Sequence, residues 1–193
     1  MPSMPITGLI LAGGRSKRLH EKDKGLMPFK HRPLIEHVIE RLQPQVDELI
    51  ISANRHIDQY QRYGFQVIED QLAGFHGPLA GMSAGLQAAQ YDCMLTVPCD
   101  GPFLPLHLGK RLLSGMQHSS AAYCYDAQRE HFTYSILHTS LSGSLRQSIM
   151  NHQLKLGKWL AEVNAERVDF SDCPEAFANL NTPEDFHLIE PHQ

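Results

Sequence analysis

The chain has 193 residues, with 17 Lys and Arg against 21 Asp and Glu, a net charge of −4 and a hydrophobic fraction of 42%. That length suits a single domain spanning 1–193, since domains run at roughly 150 residues each, and it suffices to bury about 70% of the unfolded surface in one core. The balanced charge speaks against a nucleic-acid surface, and the composition excludes disordered, collagen-like and coiled-coil chains.

In chain order, residues 6–11 (ITGLIL) form a short apolar run expected to be a buried strand. No basic segment precedes it and the run is far too short to span a bilayer, so a cytoplasmic protein is expected. The strand breaks at Ala12-Gly13-Gly14 into a polar loop. Pro33 opens a helix carrying Leu34, Ile35, Val38, Ile39 and Leu42 at helical spacing, and Pro44 stops it. ELIISA (48–53) reads as the second strand, 56–63 as a helix and QVIED (66–70) as the third strand, closed by Asp70.

A glycine-rich loop (GFHGPLAG, 74–81) runs into a helix near 79–89. DCMLTVPCD (92–100) is the fourth strand, with Pro98 suggesting that it finishes before Asp100, and Leu104 to Met116 reads as a helix. Two strands, 120–125 and 131–137, are joined by a polar turn, and helices follow at about 141–151 and 155–163. Near the end, Thr182, Pro183 and Asp185 form a capping-box arrangement for a last helix. The alternation gives one three-layer α/β domain of Rossmann-like type with a mostly parallel sheet, whose active site should lie at the carboxyl ends of the strands.

The loops at those ends carry the chemistry. In LAGGRSKRLHEKDKGL (11–26), glycines directly after a strand let backbone N–H groups approach an anion, and Arg15, Lys17, Arg18 and Lys24 add positive charge. A phosphorylated ligand is the expectation. No Walker motif and no G-x-G-x-x-G follows the first strand, so neither a P-loop NTPase nor an ordinary nicotinamide enzyme fits. Asp100, in Pro98-Cys99-Asp100-Gly101-Pro102, is placed either to bind Mg²⁺ or only to cap the following helix or shape the turn. Asp70 could accept from the paired N1–H and N2–H₂ donors of guanine, or be an exposed strand-end acid. Asn54-Arg55-His56 could meet a base or ribose, or cap a helix, and the 74–81 loop could wrap a ligand or simply turn.

Cys93, Cys99, Cys124 and Cys173 are dispersed and read as reduced thiols, and the 12 histidines lack zinc-ligand spacing. The sequence contains no evident catalytic triad and no His–carboxylate dyad.

LAGG-x-S-x-R, DKGL, SANR, VIED, GPLAG, a strand ending PCD, and NLNTPED together resemble the molybdenum cofactor guanylyltransferase family, from about Ile6 to Phe186. LAGG and DKGL are shared with broader nucleotidyltransferases, whereas the full combination is more specific. The resemblance implies a nucleotidyltransferase fold and transfer of GMP from Mg·GTP to the terminal phosphate of molybdenum-molybdopterin, releasing pyrophosphate.

By motif, GTP would contact Leu11, Ala12, Gly13, Gly14, Lys24, Ser52, Asp70 and Asp100. Asp100 would hold Mg²⁺, Arg18 and Lys24 would act on the phosphates, and Asn179 and Asn181 would meet the pterin. The chain would be a monomer in transient contact with molybdopterin-synthesis proteins and apo-molybdoenzymes. Two positions depart from the family pattern: Leu19-His20 stands where Met-Gly is frequent, and Ser52 where Asn is frequent. The rival expectations are a cytidylyl- or sugar-phosphate nucleotidyltransferase, which would differ at Asp70 and the Asn pair, and a non-catalytic GTP-binding carrier.

Overall fold

The computed structural model describes residues 4–13, 23–70 and 77–178. Its centre is a strand, β1 (Ile6–Leu11), in which five of six residues are buried. β1 pairs in parallel with β4 (Glu48–Ser52) on one side and with β6 (Cys93–Pro98) on the other. A strand flanked on both edges and covered on both faces has no solvated side, which is why the sequence there is a continuous apolar run rather than an alternation.

β5 (Gln66–Ile68) extends the sheet beyond β4 in parallel. On the opposite side the direction changes. β8 (Glu130–His138) runs antiparallel to β6 and forms a hairpin with β7 (Ala121–Tyr125), and β9 (Glu166–Asp169) pairs in parallel with β7. The seven-stranded order is β5-β4-β1-β6-β8-β7-β9. A separate two-stranded ribbon, β2 (Pro28–Phe29) with β3 (Arg32–Pro33), leads into the first helix.

Helices cover both faces. α1 (Leu34–Leu42) and α4 (Leu108–Gly115) pack on one side, where Ile35, Val38 and Leu42 meet Ile6, Ile10, Leu95 and Val97. α3 (Pro78–Ala88), α5 (Ser142–Met150) and α6 (Leu156–Glu162) cover the other, where Leu79, Met82, Leu145, Ile149 and Trp159 meet Leu9, Ile50 and Met94. A short helix, α2 (Ile57–Gln61), lies between β4 and β5. Successive β1 side chains thus feed two separate cores, as the period-2 geometry of a strand requires. Among the described residues, no helix is long and apolar enough to cross a membrane, and all four cysteines are free thiols.

Several boundaries differ from the sequence expectation. The helix expected from Leu104 begins at Leu108, because the chain before it is taken up by turns, in which the Leu104 N–H donates to the Gly101 carbonyl and the Leu108 N–H to the Pro105 carbonyl. Pro33 belongs to β3 and flanks α1 rather than standing inside it. The third strand ends at Ile68, so Asp70 lies past its end instead of closing it, whereas the fourth ends at Pro98, before Asp100, as Pro98 suggests. The capping box at Thr182 lies outside the described residues.

Candidate active site

A cavity of about 300 Å³ opens at the carboxyl ends of the parallel strands. Its floor is Leu11, Ala12 and Gly13 after β1, with Ser52 at the end of β4 and Asp70 beyond β5. Pro98, Cys99 and Asp100 close it at the end of β6, and Gly77, Pro78 and Gly81 bring the first turn of α3 to its wall. Lys24 and Thr133 complete the lining. A helix N-terminus facing a cavity presents unpaired backbone N–H groups, which favours an anion there.

Lys24 owes its place to the DKGL motif. The Asp23 carboxylate accepts from the backbone N–H of Gly25 (3.2 Å) and from the hydroxyl of Tyr60 (2.5 Å), fixing the 3₁₀ turn Lys24–Leu26. Tyr60 is fully buried on α2. Burial, with Cys99 and Asp23 beside it, pushes its hydroxyl up, so it stays a donor. Gly25 must be glycine, since a β-carbon there would stand 2.6 Å from the Tyr60 hydroxyl oxygen and 3.3 Å from Cys99 Cβ. So held, Lys24 Nζ lies 3.0 Å from Asp100 Oδ2 in a partly buried ion pair.

Asp100 does not cap the following helix, because α4 starts only at Leu108. Cys99 beside it is buried, and burial together with the charges of Asp100 and Asp23 pushes its thiol up, so it remains protonated and is no nucleophile. Asn54 does not cap α2 either. Its side chain donates to Asp70 Oδ2 (2.5 Å) and accepts from the Asp70 backbone N–H (3.0 Å), while His56 precedes α2 without a side-chain cap.

Of the residues expected at the site, Leu11, Ala12, Gly13, Lys24, Ser52, Asp70 and Asp100 all line this one cavity. Gly14, Arg18, Asn179 and Asn181 lie outside the described residues. Sequence reading missed Asp23 and Tyr60, whose roles depend on a contact between the loop and α2. It also missed a buried His–carboxylate pair, His131 Nε2 to Asp126 Oδ2 at 2.7 Å, which the β7–β8 hairpin brings together. Neither residue lines the cavity. Among the described residues, His107, Asp172 and Cys173 bring possible metal-ligand atoms within 4.8 Å of one another, also away from the cavity lining, with Asp172 ion-paired to Arg111.

The cavity lining suits a hard cation, because Asp100 offers a carboxylate, the kind of ligand Mg²⁺ takes together with phosphate oxygens.

Comparison with known proteins shows the family. Residues 8–168 match the MobA-like NTP transferase domain. The molybdenum cofactor guanylyltransferase of Yersinia pestis is 45% identical over 185 residues, covering 96% of this chain and 95% of that protein. Among solved structures, the molybdopterin-guanine dinucleotide biosynthesis protein A from Archaeoglobus fulgidus superposes with a TM-score of 0.78 at 20% identity, covering 94% of this chain and 95% of its own. The fold is shared more widely, since CMP:2-keto-3-deoxy-manno-octonic acid synthetase superposes with a TM-score of 0.71 at 16% identity, covering 96% of each chain. This chain belongs to the MobA-like NTP transferase family and, within it, to the molybdenum cofactor guanylyltransferases.

Proposed function

We propose that the protein transfers GMP from GTP to the terminal phosphate of molybdenum-molybdopterin, forming the guanine dinucleotide and releasing pyrophosphate. The observation that carries this reading is the convergence of Lys24, Asp70 and Asp100 on the glycine loop in one cavity, in a chain 45% identical to a molybdenum cofactor guanylyltransferase.

A phosphate monoester has a second pKa near 6, so the attacking oxygen is already anionic at neutral pH and needs no general base. It attacks the α-phosphorus of GTP, a new P–O bond forms there, and the bond to the bridging oxygen breaks with its electron pair leaving on pyrophosphate. The barrier is repulsion among anions, so positioning and charge neutralisation supply the catalysis. Lys24 provides a fixed positive charge, the backbone at 11–13 and the first turn of α3 provide N–H donors, and Arg18 adds a second cation. Asp100 would hold Mg²⁺, which neutralises charge on the phosphate oxygens when bound.

Asp70 also selects the base, by accepting from the adjacent N–H donors that guanine presents and that cytosine and adenine lack. The test is pyrophosphate release with GTP, CTP, ATP and UTP in the presence of molybdopterin. A strong preference for GTP, up to about 10⁴ for a site built around a hydrogen-bonded group, is expected. Equal rates with CTP would favour a related cytidylyltransferase, and GTP binding without pyrophosphate release would favour a carrier. Asp70→Asn should weaken GTP selectively, and a uniform loss for all four nucleotides would give Asp70 a ribose contact instead.

A further inference from the structure

The parallel register of β4 and β5 pairs Ser52 with Ile68, and the Ala53 N–H still donates to the Ile68 carbonyl (2.9 Å). Two residues further along each strand, Asn54 stands opposite Asp70, where the main chains no longer pair. Here a side chain takes over. The Asn54 carboxamide accepts from the Asp70 backbone N–H at 3.0 Å and donates to Asp70 Oδ2 at 2.5 Å. Among the described residues these are the hydrogen bonds that Asp70 makes.

The same amide nitrogen lies 3.4 Å from where a β-carbon on Gly13 would stand, so Asn54 spans the gap between the glycine loop and Asp70. The Ala12 N–H donates to the Ser52 carbonyl at 2.8 Å, which fixes the loop to the same strand end. Asn54 itself is exposed and does not line the cavity.

We infer that Asn54 is a positioning residue for nucleotide selection: it fixes the Asp70 carboxylate by donating to one lone pair of Oδ2 and leaves Oδ1 and the second Oδ2 lone pair to meet the nucleotide. The residue type follows from the geometry. A carboxamide offers a donor and an acceptor on adjacent atoms; aspartate would lose the donor and repel Asp70, and serine is too short to span both contacts. A carboxylate just past the end of a strand has several rotamers, and preorganising one of them raises affinity without adding a ligand contact. The inference rests on the reading of Asp70 as a nucleotide contact.

The test is a double-mutant cycle on the full chain with Asn54→Ala, Asp70→Ala and the double variant, measuring kcat and KM for GTP and for ITP, which lacks the 2-amino group. Thermal unfolding of each variant reports its fold. Asn54→Ala should raise the KM for GTP roughly tenfold, the scale of one charge-assisted hydrogen bond, with kcat changed about twofold or less. It should also narrow the preference for GTP over ITP. In the Asp70→Ala background the same substitution should change neither quantity, because neighbours that act through one another are non-additive.

Equal effects of Asn54→Ala in both backgrounds would make Asn54 a separate contact and overturn the inference. Unchanged KM and unchanged GTP preference in Asn54→Ala would overturn it as well. If Asp70→Ala itself leaves GTP use intact, the role of Asp70 falls, and the inference falls with it by a different and recognisable result.

Discussion

Lys24 and Asp100, 76 positions apart in the chain, meet through a 3.0 Å contact between Nζ and Oδ2 at the mouth of the strand-end cavity. Each therefore has a partner before any nucleotide arrives, and the cation stands beside the carboxylate rather than spread over the loop. Lys24→Ala should lower kcat by about 10²-fold or more, the usual cost of removing a preorganised charge that faces developing anions. Substitution of Arg15 or Lys17 should cost less. Steady-state kinetics on the three variants checks this, and equal losses would indicate a diffuse positive field.

Asp100→Ala should abolish turnover across a full Mg²⁺ titration while GTP still binds through the glycine loop. Calorimetric GTP binding beside pyrophosphate release separates the two effects. Near-native turnover would make Asp100 a structural turn residue. Chelation with EDTA should stop wild-type turnover, and added Mg²⁺ should restore it.

Gly25→Ala should destabilise the protein by about 1–3 kcal/mol, because its β-carbon would meet the buried Tyr60 hydroxyl and Cys99. In a domain of this size that lowers Tm by about 2–4 °C per kcal/mol. Tyr60→Phe, in contrast, keeps the packing and removes only the hydrogen bond to Asp23, so activity should fall further than Tm does. Melting curves and kinetics on the same preparations give the comparison.

Tyr134 is buried and its hydroxyl has no hydrogen-bond partner among the described residues. A buried unsatisfied polar group costs about 1–3 kcal/mol, so Tyr134→Phe should leave Tm unchanged or raise it. A β-carbon at Gly101 would overlap that hydroxyl. Gly101→Ala should therefore destabilise, and adding Tyr134→Phe should recover part of the loss. A fall in Tm for Tyr134→Phe alone would reveal a partner for the hydroxyl.

Burial pushes the Asp126 carboxyl up, but the hydrogen bond from His131 and the backbone N–H groups of Arg129 and Gln128 outweigh it and hold the group at about 2. A carboxyl depressed in the folded state contributes stability that is fully present above its unfolded value, near 3.9, and is lost as pH falls from there toward about 2. Asp126→Asn should flatten the acid limb of Tm against pH over that interval. An unchanged limb would place the acid sensitivity elsewhere.

Much of the site is legible because it is local. Glycines after an apolar run, a lysine flanked by Asp23 and Gly25, and an aspartate between prolines each announce themselves within a few residues. What is not legible depends on distant packing. Within the helix expected over 56–63 nothing singles out Tyr60, whose hydroxyl the fold brings to Asp23. Asn54 looks like a helix cap until the β4–β5 register sets it opposite Asp70. The His131–Asp126 pair is joined by the hairpin, not by a recognisable spacing. The misplaced start of α4 has a similar origin: Leu104 is apolar and fully buried, but it is buried as part of a turn, a distinction that periodicity does not contain.

The central position of β1 also shapes how the chain comes to be folded. Synthesis proceeds from the N-terminus, so Ile6–Leu11 emerges well before β6, with which Ile6 pairs at Cys93 and Leu11 at Pro98. Until the ribosome has passed that point, the most apolar strand of the sheet has at best one neighbour, β4, and an open edge of unpaired N–H and C=O groups. Non-local pairing of this kind slows folding, since the intervening chain must be ordered before its contacts form. The strand that ends in the glycine loop is thus made well before its sheet is complete, and its open edge persists until β6 arrives.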